Sequence, residues 1–265
     1  MRLGFDRLSG ALGEFLDALY PRACRLCRSP APDGEACAEH RLPRGRVEGC
    51  GRCAGVLGDG LPDGHLCPSC RRHPPPFACT VALGRYESGE ALRDWVLAFK
   101  HGGRRDLALT LGAALGQVLG QVLDQAAGPA FGPASVEPRA PTPDSGRALL
   151  VPVPAHAWRR FERGYDQAAL LAEAVAHSTA LPLRHALRRR RPTAFQGAAG
   201  SPSRRANVAG AFAPTENAAK ALAGAEVWLV DDVFTSGSTV AECARVLRRA
   251  GAAWVGVACL ARAGR

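Results

Sequence analysis

Short apolar runs alternate with amphipathic stretches from about residue 80 to the end of the chain. The apolar runs, rich in β-branched residues, predict strands at Thr80–Tyr86, Leu149–Pro154, Glu226–Asp231 and Trp254–Leu260. The stretches with helical spacing predict helices at Glu90–Lys100, from about Asp106 to Ala126, from Gln167 to about His177, and at Gly237–Ala250. Strand and helix in alternation predict an α/β fold with a mostly parallel sheet, whose crossovers are right-handed.

The chain before residue 80 follows a different pattern. Residues 1–20 have apolar side chains at helical spacing, with Asp6, Glu14 and Asp17 among them, which predicts an amphipathic helix rather than a signal peptide. Such a helix either docks on its own protein or binds a partner or membrane. We therefore divide the chain into an N-terminal helix (1–23), a cysteine-rich module (24–76) that ends at a proline run, and an α/β domain (77–265). Residues 128–146, rich in Pro, Gly, Ala and Ser, predict a flexible surface insertion.

Composition narrows the function classes. In 265 residues, a hydrophobic content of 47% suffices for a sizeable core, and the net charge of +10 favours anionic ligands such as phosphates or nucleic acid. We expect no membrane span, because the chain lacks a run of about 18 apolar residues. With no secretion signal either, we expect a cytoplasmic protein.

The cysteines of the module are paired by spacing, which predicts metal binding. Two intervening residues let both thiolates of a pair reach one tetrahedral ion, and disulfides are disfavoured in a chain without a secretion signal. Sequential pairing would give one Zn²⁺ to Cys24, Cys27, Cys37 and His40, and another to Cys50, Cys53, Cys67 and Cys70. A cross-braced arrangement is the alternative. Four protein ligands close each site, so the zinc would be structural. Cys79, Cys243 and Cys259 lie in apolar contexts and are expected in the core.

Two arginine-rich segments lie between the predicted strands. Trp158–Gln167 follows a strand and combines arginines with a glycine, so it is either a pyrophosphate clasp or a solvated basic loop. No carboxylate occurs between Arg184 and Arg205. That segment has three interpretations: an electropositive cover over an anionic substrate, a patch for nucleic-acid backbone, or a solvated edge strand.

The most specific signal is the run Val227–Thr239, in which an apolar strand ends in Asp231-Asp232 and a loop of Thr235, Ser236, Gly237, Ser238 and Thr239 leads into a helix. Backbone N–H groups at a helix N-terminus bind anions, and Gly237 permits a close backbone approach. Carboxylates at a strand tip can accept hydrogen bonds from ribose hydroxyls, and ligands of open α/β sheets bind at that edge. The run resembles the phosphoribosyl-pyrophosphate (PRPP) motif of type I phosphoribosyltransferases.

From Tyr20 to its end, apart from the insertion, the chain resembles the ComF/GntX family. The resemblance rests on motifs in family order: the paired cysteines, Val151-Pro-Val-Pro154, Arg163-Gly-Tyr-Asp-Gln167, Asn207 and the acidic loop. Asp166 stands where the family usually has Asn, which adds a negative charge beside the expected pyrophosphate site. Cys37-x-x-His40 is the other departure from the family pattern.

The resemblance implies a zinc finger joined to a type I phosphoribosyltransferase fold that binds PRPP with Mg²⁺. It assigns the ribose hydroxyls to Asp231 and Asp232, the 5-phosphate to Thr235–Thr239, and the pyrophosphate or cover to Lys100, Arg163, Gly164, Arg204 and Asn207. The first hypothesis is transfer of the phosphoribosyl group to an unidentified acceptor. The alternative is a non-catalytic factor that binds single-stranded DNA for the DNA-uptake machinery, and a third is an adaptor that captures a partner through its finger.

Overall fold

The computed structural model describes residues 22–31, 34–58, 61–127, 147–155, 164–191 and 208–264. These residues belong to two compact units, Met1–Leu42 and Pro43–Arg265, which we treat separately. The predicted N-terminal helix and the insertion at 128–146 lie outside the described residues. The predicted boundaries after residues 23 and 76 stay predictions; the second cysteine cluster and the α/β domain share one compact unit.

The larger unit contains six strands and six helices among its described residues. The strands are β1 (Thr80–Arg85), β2 (Ala148–Pro152), β3 (Leu187–Arg189), β4 (Phe212–Pro214), β5 (Glu226–Phe234) and β6 (Trp254–Arg262). The helices are α1 (Pro68–Arg72), α2 (Ala91–His101), α3 (Leu107–Ala127), α4 (Gln167–Thr179), α5 (Ala218–Leu222) and α6 (Ser238–Arg249). The smaller unit has a 3₁₀ turn at Ala38–His40.

A four-stranded parallel sheet in the order β1-β6-β5-β2 forms the centre of the larger unit. Every residue of β6 is buried, as expected for a central parallel strand covered on both faces. β3 and β4 form a separate antiparallel pair. The predicted α/β class and parallel sheet are confirmed, since strands and helices alternate as the apolar pattern indicated.

The long helix α3 packs closely against α4 through small residues. A β-carbon at Gly112 would lie 2.2 Å from Cβ of Ala174, and one at Gly116 would lie 2.6 Å from Oγ of Ser178. Leu107–Gln125 is long and apolar enough to span a membrane by length and composition, but 61% of that stretch is buried inside the protein. Its burial is that of a core helix.

The strand that carries the acidic doublet continues further than the sequence predicted. We expected a strand over Glu226–Asp231, whereas β5 runs to Phe234, because Val233 and Phe234 still pair with Ala261 and Arg262 of β6. On its other edge, β5 has pairing only up to Val230, opposite Pro152, among the described residues. The last four residues of β5 therefore continue past the end of β2.

Candidate functional site

Asp231 and Asp232 lie within the last four residues of β5, and both are half-buried. Successive side chains of a strand leave it in opposite directions, yet Asp231 still interacts electrostatically with both Asp232 and Lys100. Oδ1 of Asp231 accepts a hydrogen bond from the Asp232 amide (2.9 Å), and Oδ1 of Asp232 accepts one from the Val233 amide (2.6 Å). These bonds hold both carboxylates close to the backbone. Each leaves a second oxygen for other partners.

Lys100, on the last turn of α2, forms an ion pair with this doublet. Its Nζ lies 3.0 Å from Oδ2 of Asp232, and the two side chains are only 19% and 16% exposed. Partial burial weakens solvent screening, so this pair is stronger than an ordinary surface ion pair. The family resemblance assigned Lys100 to the pyrophosphate, and the structure places its ammonium beside the carboxylate of Asp232.

The pKa of Asp231 is raised to about 7, far above the usual carboxyl value. Desolvation is the largest cause, and repulsion from Asp232 adds to it, while the ammonium of Lys100 opposes both. Two carboxylates and one ammonium therefore share the site, and Asp231 titrates near neutral pH. A perturbed carboxyl in a cleft is typical of a functional site.

The loop after β5 is exposed at Thr235 and Ser236 and half-buried from Gly237 to Thr239. Gly237 has a φ of +74°, and a β-carbon there would lie 2.6 Å from Cζ of Phe234, so the position favours glycine on both counts. Gly237 is also the N-cap of α6 and has no side chain with which to cap it, and the Ser238 amide donates to Oγ of Ser236 at 3.4 Å. The first-turn N–H groups therefore start directly at the loop, as an anion-binding helix N-terminus requires.

Asp166 caps α4 and fastens the segment before it. Its Oδ1 accepts a hydrogen bond from the Ala169 amide and its Oδ2 accepts one from the Ala155 amide, both at 3.2 Å. The added negative charge thus has a local structural role, because both oxygens of the carboxylate are used by backbone donors. Sequence analysis treated Asp166 only as a departure from the family pattern. An Asp directly before an Ala/Leu-rich helix is itself an N-cap signal.

The Gly164–Tyr165 turn is held against α2. The Arg105 guanidinium lies 4.9 Å from the Tyr165 ring centroid and donates to the Gly164 carbonyl at 2.7 Å. The Tyr165 hydroxyl donates to the Phe99 carbonyl, next to Lys100. Gly164 has a φ of +72°. Arg105 was not singled out in the sequence, since a pair of arginines before a helix carries no specific pattern.

The structure thus brings Lys100, Asp231 and Asp232 together and leads from them into Thr235–Thr239 along one chain segment. Gly164 lies in the turn fixed against α2. Arg163, Arg204 and Asn207 lie outside the described residues. Their predicted roles stay predictions.

Both predicted metal clusters are present with sequential membership. The possible ligand atoms of Cys24, Cys27, Cys37 and His40 all lie within 4.8 Å of one another, and so do those of Cys50, Cys53, Cys67 and Cys70. Zn–S bonds of about 2.3 Å in a tetrahedron place two sulfurs roughly 3.8 Å apart. The sulfurs of Cys27 and Cys37 are 3.7 Å apart, and those of Cys53 and Cys67 are 3.8 Å apart. Both donor sets fit tetrahedral zinc.

The second cluster has the backbone bonds of a metal knuckle. The Cys67 amide donates to Sγ of Cys50 at 3.3 Å, and the Cys70 amide donates to Sγ of Cys67 at 3.4 Å. Hydrogen bonds among the thiols lower the pKa of Cys50 and raise that of Cys53 to about 11. These hydrogen bonds favour the thiolate form of Cys50 over that of Cys53. Binding of a cation would favour the ionised, thiolate form of the other cysteines in the cluster as well.

The second cluster and the loop after β5 border one open cavity of about 520 Å³. Cys53, Cys67 and Cys70 line one side, and Ser236, Gly237 and Ser238 line another. The cationic side chains of the lining are those of Arg72, Arg245 and Arg262. The sequence pattern shows the module and the loop as separate regions and gives no sign of this proximity.

Comparison with known proteins places this architecture in a family. The phosphoribosyl transferase domain family matches residues 167–265. The DNA utilization protein YhgH of Salmonella typhi is 33% identical over 251 residues, which cover 91% of this chain and 97% of that protein. Competence protein F of Haemophilus influenzae is 35% identical over 115 residues, or 43% of this chain and 50% of that protein.

The chain belongs to the ComF family. This ComF-family protein therefore combines a phosphoribosyltransferase domain with cysteine clusters whose geometry suits zinc, as the sequence predicted. Among solved structures, a glutamine PRPP amidotransferase from B. subtilis complexed with ADP and GMP aligns with a TM-score of 0.34 and 20% identity, over 61% of this chain and 30% of that one. A likeness that distant carries no argument about the site.

Proposed function

We propose that this ComF-family protein binds PRPP, or a related ribose phosphate, together with Mg²⁺ and transfers the phosphoribosyl group to an acceptor. The observation that carries the proposal is the exposed loop with its left-handed Gly237. It runs from the acidic doublet of β5 into the N-terminus of α6. The carboxylates suit the hydroxyls of a ribose 5-phosphate, and the anion-binding amides suit its phosphate. A cation, Lys100, lies beside the carboxylates.

Each group of the site has a defined task in this proposal. The Thr235–Thr239 amides and hydroxyls bind the 5-phosphate, and Asp231 and Asp232 accept hydrogen bonds from the ribose hydroxyls. Mg²⁺, when bound with PRPP, supplies positive charge against the pyrophosphate, and carboxylate and hydroxyl oxygens are the ligands it prefers. Lys100 already lies at the doublet, so a pyrophosphate oxygen would compete with Asp232 for its ammonium.

The reaction breaks the C1–O bond of PRPP and forms a bond between C1 and the acceptor. Pyrophosphate leaves with the electron pair of the broken bond, and the acceptor supplies the pair for the new one. Positive charge grows on the ribose ring while the bonds exchange. Fixed carboxylates beside the ring stabilise that charge without reorganising, because backbone amides already hold them in place.

Calorimetric titration with Mg²⁺ and PRPP tests binding. We expect saturable binding by the wild type and its loss in the double variant Asp231→Asn, Asp232→Asn. Glu226→Gln, at the opposite end of β5, is the matched control because it removes a carboxylate from the same strand. Absence of wild-type binding at millimolar PRPP contradicts the proposal. Pyrophosphate release in the presence of nucleobases and nucleic acids then identifies the acceptor class.

The second candidate function is binding of single-stranded DNA during DNA uptake, and it is supported by the arginines of the β3 segment. Arg188, Arg190 and Arg191 are exposed beside the β3–β4 pair, and relatives carry the names DNA utilization protein and competence protein. Nucleic-acid binding would weaken steeply with salt. Arg188→Glu with Arg190→Glu should flatten that dependence, whereas Arg249→Glu on α6 should not. An unchanged salt slope in the double variant contradicts this candidate.

A further inference from the structure

Arg262, at the end of β6, bonds the second cysteine cluster to the loop after β5. Its side chain is buried, with 7% of the residue exposed. Nε donates to the Cys53 carbonyl at 2.8 Å, and Nη1 donates to the Thr235 carbonyl at 2.9 Å and the Phe234 carbonyl at 3.3 Å. One guanidinium therefore contacts the turn of a metal-ligating cysteine, the last residue of β5 and the first residue of the loop.

The two loop carbonyls that Arg262 binds determine where the loop amides point. In a trans peptide the C=O and the next N–H point in opposite directions, and no cis peptide occurs in the described chain. A donor on the Phe234 and Thr235 carbonyls therefore directs the N–H groups of Thr235 and Ser236 away from Arg262. Successive N–H groups on one side of a turn form an anion-binding nest. Arg262 thus helps to orient the amides that would receive a phosphate: it holds the Thr235 carbonyl, and it shares the Phe234 carbonyl with the Ala263 amide, which donates to it at 2.9 Å.

The Phe234 ring forms a second physical connection between Arg262 and the loop after β5. The Arg262 guanidinium lies 4.9 Å from the ring centroid, and Phe77 packs edge-on against it at 5.9 Å. The other edge of the ring lies under Gly237, where a β-carbon would be 2.6 Å from Cζ. A shift of Arg262 would therefore displace the support of the loop glycine as well as the two carbonyls.

We propose that Arg262 is a positioning residue that couples the second cysteine cluster to the phosphate loop, so that metal binding and phosphate binding strengthen each other. Zinc fixes the Cys50–Cys53 turn, the Cys53 carbonyl fixes Arg262, and Arg262 fixes the loop amides. Coupling between two binding sites is reciprocal, so a ligand in the loop must also slow the loss of zinc. The proposal rests on the proposed function in that the loop binds a phosphate.

Arg85 provides a matched control on the neighbouring strand. It pairs with Arg262 in the β1–β6 register and donates to the module at the Ala54 carbonyl (3.0 Å) and the Glu48 carbonyl (2.7 Å). Arg85 lies on β1, which β6 separates from β5, the strand that leads into the loop. Loss of the Arg85 bonds should loosen the module without reorienting the loop amides.

The experiment uses the zinc-loaded full chain, with ribose 5-phosphate as the probe. Arg262→Lys keeps the positive charge but loses the planar guanidinium, whose N–H groups bond several carbonyls at once. We expect this variant to bind ribose 5-phosphate about tenfold more weakly, an ordinary size for coupling between sites. Arg85→Lys should leave that affinity within about twofold. The second readout is the rate at which a chelator takes zinc from the Cys₄ cluster. Ribose 5-phosphate should slow it in the wild type and in Arg85→Lys but not in Arg262→Lys. Arg262→Gln repeats the test if the lysine variant unfolds.

Hydrogen exchange at residues 234–239 separates this proposal from the proposed function. Chelation of zinc should speed exchange there in the wild type. Equal affinity for ribose 5-phosphate in Arg262→Lys and wild type overturns the coupling while the proposed function stands. If the wild type binds neither PRPP nor ribose 5-phosphate, the proposed function fails, and the link to zinc is then decided by exchange alone: unchanged exchange on chelation overturns it.

Discussion

A methyl group at Gly237 should damage the phosphate loop through two separate costs. The first is the backbone cost of a φ of +74° for a residue with a β-carbon. The second is steric, because the new carbon would lie 2.6 Å from Cζ of Phe234, well inside the usual carbon–carbon contact of about 3.5–4.0 Å. The ring cannot move aside easily, since Phe77 and Arg262 pack against it.

Gly224→Ala separates the two costs. Gly224 has a φ of +67° with nothing within 4 Å of its β-carbon position, so it measures the backbone cost alone, about 1 kcal/mol. Gly237→Ala adds an overpacking cost of about 1–3 kcal/mol, unless the loop shifts to relieve it. A unit of this size loses roughly 2–4 °C in Tm per kcal/mol. A loop shift would lower the affinity for ribose 5-phosphate instead.

Two measurements on both variants and the wild type distinguish the backbone cost from the steric cost. They are thermal unfolding and calorimetry with ribose 5-phosphate. We expect Gly237→Ala to lose more stability than Gly224→Ala or to lose phosphate affinity, and Gly224→Ala to keep that affinity. If the two variants lose equal stability and both bind as the wild type does, then Gly237 has no steric role and the close packing on Phe234 is not needed.

Three further predictions concern the carboxylates and the metal. Because the folded pKa of Asp231 is about 7, the folded protein binds more protons than the unfolded chain between about pH 4 and 7, so stability falls as pH rises through that window. The free energy of unfolding of Asp231→Asn should therefore exceed that of the wild type by more at pH 8 than at pH 5, as measured by denaturant unfolding. The affinity of the wild type for Mg²⁺ and PRPP should rise as the pH increases through about 7. Asp166→Ala should cost about 1 kcal/mol as a lost helix cap, whereas Asp166→Asn keeps most of it, as seen by thermal unfolding. Cys50→Ser should release one of two zinc ions by elemental analysis, whereas Cys79→Ser, outside both clusters, should keep both.

The parts of the site that lie next to one another in sequence could be predicted. Asp231, Asp232 and the loop to Thr239 form one strand–loop–helix segment, so their order fixes their proximity. The cysteine spacing likewise predicted both clusters, because two intervening residues fit a metal knuckle. Local geometry determines these features, and local geometry is what a sequence pattern encodes.

Contacts between distant segments could not be predicted. Arg262 is an arginine at the end of an apolar strand, and only folding places it within hydrogen-bond reach of Cys53 and Thr235. The end of β5 at Phe234 was missed because Asp231 and Asp232 are unfavourable in strands. Pairing with β6 overrides that preference, as tertiary contacts commonly do.

Arg85 and Arg262 lie side by side in register at one end of the sheet, both with partners among the module carbonyls. Two neighbouring guanidiniums repel each other, and the carbonyl oxygens of Glu48, Cys53 and Ala54 offset that repulsion. A truncated chain starting at residue 77 would leave both cations adjacent without those acceptors. The segment 48–54 thus offsets positive charge at this end of the sheet, and its deletion would destabilise the phosphoribosyltransferase domain rather than merely shorten the protein.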